Sequence, residues 1–160
     1  MTDLAIFSAF VGGMYDCVAQ PWRWSEVLQK LCSHYDSDTS FLAVHDPAAK
    51  RSRFNAYAGE PEKVQALVNH HGEKNPFYSI LQAFDIDETA SLADYCQTLG
   101  PDGLEQFRNS QFAKDWAIPY RMGDGMSITL MKQRQRVGTY VMIRSVDYPQ
   151  FSQAELAALG

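Results

Sequence analysis

The chain has 160 residues, with 14 Lys and Arg against 19 Asp and Glu for a formal net charge of −5. Its 46 % apolar and 21 % charged residues are those of a globular domain and exclude a disordered chain. The acidic balance argues against a free-standing nucleic-acid binder, which carries a dominant basic face. Cys17, Cys32 and Cys96 are odd in number and show no CxxC or Cys/His zinc spacing, so reduced thiols in a cytoplasmic protein are expected. The N-terminus has an acid where a signal peptide has bases, and no apolar run reaches the roughly 18 residues of a membrane span.

Leu4, Phe7, Val11, Met14 and Val18 recur at steps of three and four, which predicts a first helix. Gly12-Gly13 lies inside it at about 1 kcal/mol per glycine relative to alanine, so close packing against a neighbouring backbone is expected there. After Pro21, Trp24-Ser25-Glu26-Val27-Leu28 opens a second helix to about Tyr35. Strands are expected at 39–45 and at about 53–58, joined through Asp46-Pro47. Phe41, Ala43 and His45 share a face of the first, and Arg53, Asn55 and Tyr57 a face of the second. A helix starts at Pro61 and stops near Gly72. Another follows Asn75-Pro76, with Phe77, Ile80, Leu81 and Phe84 at helical spacing. Ser91-Leu92-Ala93 reads as a short edge strand, and Leu104 to Ile118 as a helix carrying Phe107, Phe112 and Trp116.

Gly123-Asp124-Gly125 predicts a tight turn ahead of a hairpin that runs to Ser145. Met126, Ile128 and Leu130 are expected to face Val137, Val141 and Ile143, with Thr129, Met131, Tyr140 and Met142 on the other side. Neither face is made for water, so the hairpin belongs in the middle of a layered domain. Ser152 and Glu155 form a capping box that starts a last helix near 152, about two turns before the chain stops. The order of elements predicts a single α+β domain over 1–160, a three-layer α/β/α sandwich around a central, mainly antiparallel five-stranded sheet.

No Gly-x-Ser-x-Gly, Walker-type or Gly-x-Gly-x-x-Gly motif is present, so no catalytic residue and no cofactor is expected. His70 and His71 are adjacent and point about 100° apart on a helix, which favours a solvated helix end over a metal site. Cys96 has no basic sequence neighbour to activate it. Lys132, Arg134, Arg136 and Arg144 read as a solvated hairpin end, or as a contact to an acidic partner or nucleic-acid phosphate. Tyr57, Phe77, Tyr78, Phe112, Trp116 and Tyr120 fall on elements expected to cover one sheet face. That mixture of aromatics and polar edges suits a small-ligand pocket, and equally an aromatic core.

Four stretches carry a resemblance: Trp22 to Leu28, Glu73-Lys74-Asn75-Pro76-Phe77-Tyr78, Ser110-Gln111-Phe112-Ala113-Lys114-Asp115-Trp116, and Gly125 to Ile143. They resemble the N-terminal ligand-sensing half of LuxR-type bacterial transcription regulators, whose sensors are similar to GAF and PAS domains and to the autoinducer-binding domain. The resemblance implies a GAF/PAS-like sandwich with a pocket for an unidentified small-molecule ligand, lined by Tyr57, Asn75, Phe77, Tyr78, Trp116, Tyr120 and Met126. It further implies a cytoplasmic homodimer that touches no membrane, and DNA contact only through a helix-turn-helix domain absent from this chain. The lactone-binding branch has an aspartate at the Asn75 position and an upstream tryptophan and tyrosine, whereas Val64-Gln65-Ala66-Leu67-Val68-Asn69 has neither aromatic. These departures argue against an acyl-homoserine lactone as the ligand. The alternative is a ligand-free dimerisation module of the same fold.

Overall fold

Two hairpins carry the sheet: β1 (Thr39–Asp46) with β2 (Arg51–Gly59), and β4 (Met122–Gln133) with β5 (Arg136–Ser145). β1 also pairs with β5, and the short β3 (Thr89–Ser91) pairs with β4, giving the antiparallel order β2-β1-β5-β4-β3. This computed structural model describes residues 3–159, and the side chains of all but Asp3 and residues 70–72. The reading of His70 and His71 therefore lies outside the described side chains.

Helices cover both faces, as the two-sided apolar strands require. On one face, Leu28 and Leu31 of α2 (Trp24–His34) and Leu156 of α6 (Gln153–Leu159) pack on Ala56, Met126, Ile128 and Met142. The first helix, α1 (Asp3–Ala19), joins that layer through Cys17, its one fully buried residue among those described. On the other face lie α3 (Pro61–Ala66), α4 (Leu92–Leu99) and α5 (Gly103–Asn109). Irregular turns complete this layer, which packs Leu67, Phe77, Tyr95, Phe107 and Trp116 on Phe41, Ala43 and Ile143. The fold is the α+β, three-layer sandwich expected.

Looped-out residues in each hairpin decide which side chains meet which layer, because a one-residue slip exchanges the faces of a strand; β4 has two, Gly123 near its start and Leu130 further along. Leu42 pairs with Ala56 but Ala43 with Phe54, so Asn55 is the extra residue. Ser52, Phe54 and Tyr57 then share the side of His45, Ala43 and Phe41, their register partners, and Arg53, Asn55 and Tyr57 do not form one face. In the second hairpin Thr129 pairs with Thr139 but Met131 with Gly138, so Leu130 is extra. Counted from the tip without that bulge, Met126 and Ile128 would meet Ile143 and Val141, as strict alternation predicts. With it they meet Met142 and Tyr140 in the α2 and α6 layer, and Gly125 and Ser127 meet Ile143 and Val141 instead.

Other departures have local causes. Gly123-Asp124-Gly125 lies within β4, and the turn comes earlier, at 118–121, with Arg121 at φ 57°. A Cβ on Gly123 would stand 2.7 Å from the Ser145 carbonyl oxygen, so only glycine permits that strand approach. The helix predicted over 104–118 breaks at Ser110, which is extended; its hydroxyl donates to the Phe107 carbonyl at 2.6 Å and accepts the Ala113 N–H at 3.1 Å. A π turn at Ala113–Ala117 follows. The segment after Asn75 is a pair of 3-10 turns, Pro76–Ser79 and Leu81–Ala83, rather than an α-helix. The edge strand ends at Ser91 because Ser91 and Asp94 form a capping box that starts α4.

Candidate functional site

Between the sheet and the layer of α3 to α5 lies a cavity of about 100 Å³. Its floor is the bulge-shifted face of the central strands: Gly125 and Ser127 from β4, and Thr139, Val141 and Ile143 from β5. Its walls are aromatic. Phe41 and Phe54 come from the first hairpin, Phe77 from the 3-10 turn, Tyr95 from α4, and Phe112 and Trp116 from the segment around the π turn. The rings brace one another: Phe41 meets Phe54 edge-on at 5.1 Å, Phe77 tilts on Tyr95 at 5.0 Å and stacks on Phe107 at 5.3 Å. Such pairs contribute roughly 0.5–1.5 kcal/mol each beyond area burial, and hold wall rings in fixed orientations.

Trp116 is fully buried and its indole N–H donates to the Lys63 carbonyl at 3.0 Å. The Lys63 ammonium lies 5.9 Å from the Trp116 ring centroid and reaches both Asp38 oxygens at 2.9 and 3.0 Å. A buried cation with its carboxylate thus ties α3 to the start of β1 behind the tryptophan wall.

Two hydroxyl-rich points interrupt the apolar lining. His45 Nδ1 is 2.7 Å from Ser52 Oγ, and Nε2 is 2.8 Å from Thr139 Oγ1. Ser52 is hydrogen-bonded in turn to the Tyr78 hydroxyl, giving the chain Tyr78–Ser52–His45–Thr139. Burial disfavours the imidazolium and lowers the His45 pKa to about 4, so the ring is neutral at pH 7. At the second point the Tyr95 hydroxyl lies 2.7 Å from Ser127 Oγ. Burial pushes both the Tyr78 and Tyr95 phenols up, so neither ionises at physiological pH.

Of the residues expected at a pocket, Asn75, Phe77, Trp116 and Met126 border the cavity. Asn75 also caps the 3-10 turn, its Oδ1 accepting the Phe77 N–H at 2.9 Å. Met126 borders it from β4, but the shifted register packs its side chain with the α2 and α6 layer. Tyr78 stands behind the lining, with its ring 6.1 Å from His45. Tyr57 is on the cavity side of the edge strand but partly exposed, and its hydroxyl accepts from Gln65 at 3.1 Å. Tyr120 packs on Trp116 at 6.2 Å without lining the cavity. His45, Ser52, Tyr95, Ser127 and Thr139 were not singled out by motif; only His45 had a signal, its shared face with Phe41 and Ala43.

Among the described residues no group of three or more His, Cys, Asp or Glu is placed to hold a metal ion. Among them, too, no helix is long and apolar enough to cross a membrane.

A five-stranded antiparallel sheet in the order 2-1-5-4-3, with helices on both faces and an aromatic cavity on one, is a GAF-like architecture. No family model matches the chain, and no curated protein is similar to it in sequence. Among solved structures it is similar to the LBD domain of VqsR from Pseudomonas aeruginosa. The TM-score is 0.70 with 14 % identity, over 96 % of this chain and 87 % of that one. It is also similar to a GAF domain/HD domain protein from Geobacter sulfurreducens, with TM-score 0.54 and 17 % identity over 84 % and 81 %.

Proposed function

We propose that the chain is the small-molecule-sensing domain of a LuxR-type transcription regulator. A ligand in the aromatic cavity sets the disposition of the terminal helices within a cytoplasmic homodimer. The observation that carries this reading is a pair of neighbouring rungs in the sheet. Gly125 and Ile143 are register partners and both line the cavity. The next rung is Asp124 with Arg144, and both grip the segment that leads into α6. Asp124 accepts the Phe151 N–H at 2.8 Å. Arg144 donates to the Pro149 carbonyl at 3.2 Å, to the Tyr35 carbonyl that closes α2 at 3.1 Å, and to Glu155 in α6. A guest that moves the cavity floor acts on both helices through one residue of strand, to the extent that it binds one arrangement more tightly than another. The likeness to a domain named LBD supports a ligand-binding role over other uses of the fold.

Binding, not turnover, is the role proposed. Ser52 and His45 are in hydrogen-bond contact, yet a histidine with a pKa near 4 is a poor base at pH 7, and both of its nitrogens are taken by hydroxyls. DNA contact would come from a helix-turn-helix domain elsewhere in the protein. Native mass spectrometry of freshly purified protein and thermal shift against a metabolite library test the sensing role. No co-purified mass and no stabilising compound would sink it.

One observation favours the second reading, a ligand-free dimerisation module. Along α1, Leu4, Phe7, Met14 and Val18 are 76, 63, 37 and 79 % exposed, with Val11 half-buried at the missing step. That 3-4-3-4 spacing is the a/d pattern of a coiled-coil seam, and Leu4, Phe7 and Val18 on it are left largely uncovered by the described residues. A dimer on this seam needs no occupant in the cavity.

A further inference from the structure

We propose that the cavity takes an uncharged, single-ring aromatic molecule bearing one hydroxyl or carbonyl group, bonded to Thr139 or Ser127. The proposal rests on the ligand-sensing reading and narrows it. Size sets the first limit. About 100 Å³ is smaller than the engineered apolar cavities of about 150 Å³ that hold benzene, so one ring is the upper limit, and its fit uses the open side of the cavity. A rigid fused polycycle outgrows it. Charge sets the second. Among the described residues that line the cavity, none is Asp, Glu, Lys or Arg. An ion entering it would give up its hydration with no counter-ion to replace it, so a carboxylate or ammonium guest is rejected. The walls set the third. Phe41 and Phe54 meet at 67°, and Phe77 and Tyr95 at 60°, an arrangement of edges and faces that accepts another flat ring.

The polar group follows from counting donors. A neutral imidazole has one N–H and one lone pair, so the chain Tyr78–Ser52–His45–Thr139 runs in either direction. If the Thr139 hydroxyl donates to Nε2, the Thr139 oxygen keeps a lone pair for a guest O–H. If Nε2–H donates to Thr139, the Thr139 O–H is released to a guest carbonyl oxygen. Tyr95 and Ser127 repeat the arrangement, since two hydroxyls that share one hydrogen bond retain a second O–H between them. Each point supplies one uncharged hydrogen bond of either polarity, which matches a phenol, an aromatic alcohol or an aryl ketone.

Calorimetry and ligand-observed NMR on the whole chain at pH 7 test this with benzyl alcohol, acetophenone, toluene, benzoate and N-butanoyl homoserine lactone. Benzyl alcohol and acetophenone are expected to bind at least tenfold more tightly than benzoate and at least threefold more tightly than toluene. Of Thr139→Val and Ser127→Ala, the one that removes the guest's partner should shrink the advantage over toluene. If either variant fails to fold, the comparison of neutral and charged probes on the native chain decides alone. Benzoate binding as tightly as benzyl alcohol overturns the proposal. So does the lactone binding while the rings do not, or a different co-purified small molecule with all five probes silent; both leave the sensing role standing. Five silent probes with no co-purified mass overturn the proposal, and the sensing role falls with it only when the metabolite library is silent too.

Discussion

Asp124 and Arg144 face each other across β4 and β5 and hold the same residue from two sides. The Asp124 carboxylate takes the Phe151 N–H at 2.8 Å, and the Arg144 guanidinium lies 3.9 Å from the Phe151 ring centroid. Burial raises the Asp124 pKa, while the Phe151 and Gly125 N–H groups and the Arg144 charge oppose that rise. Arg144 is 2 % exposed and stands beside the Tyr35 carbonyl at the end of α2, where a cation complements the helix dipole. The arginine expected on a solvated hairpin end is thus an internal clamp between two helices and the sheet.

Arg144→Met should destabilise the chain by about 3 kcal/mol in urea unfolding, since it leaves buried carbonyls unpaired and removes a cation–π contact. Asp124→Asn should cost about 1 kcal/mol, because the amide oxygen still accepts the Phe151 N–H. Hydrogen exchange in α6 should accelerate in Arg144→Met more than exchange in β1. Uniform acceleration everywhere would mean that the clamp serves stability alone, and would remove the argument for coupling.

Two pH windows should appear, meeting between about pH 4 and 4.5. His45 has a folded pKa of about 4 against an ordinary 6.5. Unfolded chains therefore take up a proton that folded chains refuse as pH falls from 6.5 to about 4. Over that window stability should drop by roughly 3 kcal/mol, and the effect should level off below it. Glu155 behaves differently. Hydrogen bonding to Arg144 holds its pKa at about 2 against an ordinary 4.5. Its contribution is complete above 4.5 and is lost as pH falls through about 2. Urea midpoints from pH 7 to about pH 2 should show His45→Gln flattening the upper window and Glu155→Gln the lower one.

Much of the layering was legible because it is written in local periodicity. The stripe in α2, the apolar faces of the central hairpin and the capping box at Ser152 all depend on residues a few positions apart. The candidate site was less legible because it depends on pairing at long range. Nothing at Asn55 or Leu130 marks a bulge, since neither is a glycine or a proline; the partner strand decides it. That single residue in β4 moved Met126 off the cavity floor and brought Ser127 onto it. His45 was visible on the face of Phe41, but its partner Thr139 lies 94 residues away, and no spacing encodes such a contact. Gly123-Asp124-Gly125 reads as a turn by local chemistry, and the Phe151 N–H and the Arg144 charge, both distant in sequence, explain why Asp124 is buried in a strand instead.

The Lys63–Asp38 pair is unequal, with side chains 2 and 33 % exposed, and its two halves should respond unequally. Lys63→Met keeps the stem packing beside Trp116 and leaves Asp38 free to rehydrate, so a loss of about 1 kcal/mol is expected. Asp38→Ala strands an ammonium in the interior and should cost about 3 kcal/mol. Paired urea titrations measure both. Equal losses would show that Asp38 acts through something other than neutralising Lys63.

The seam on α1 leads to a prediction in which assembly and stability part company. Phe7 and Val18 are 63 and 79 % exposed in the single chain, so replacing them removes little that the monomer buries. The double variant Phe7→Lys with Val18→Lys should unfold at nearly the native urea concentration when dilute, within about 0.5 kcal/mol, as for surface substitutions generally. At micromolar concentrations sedimentation should show a dimer for the native chain and a monomer for the variant, because two lysines per helix place like charges on a seam that needs apolar residues at its a and d positions. The seam residues Leu4 and Met14 remain in the variant, so weak association at millimolar concentration is compatible with this account. A native chain that stays monomeric across the concentration series would leave the α1 face without the partner proposed for it, and would remove the dimer from the functional reading while leaving the cavity untouched.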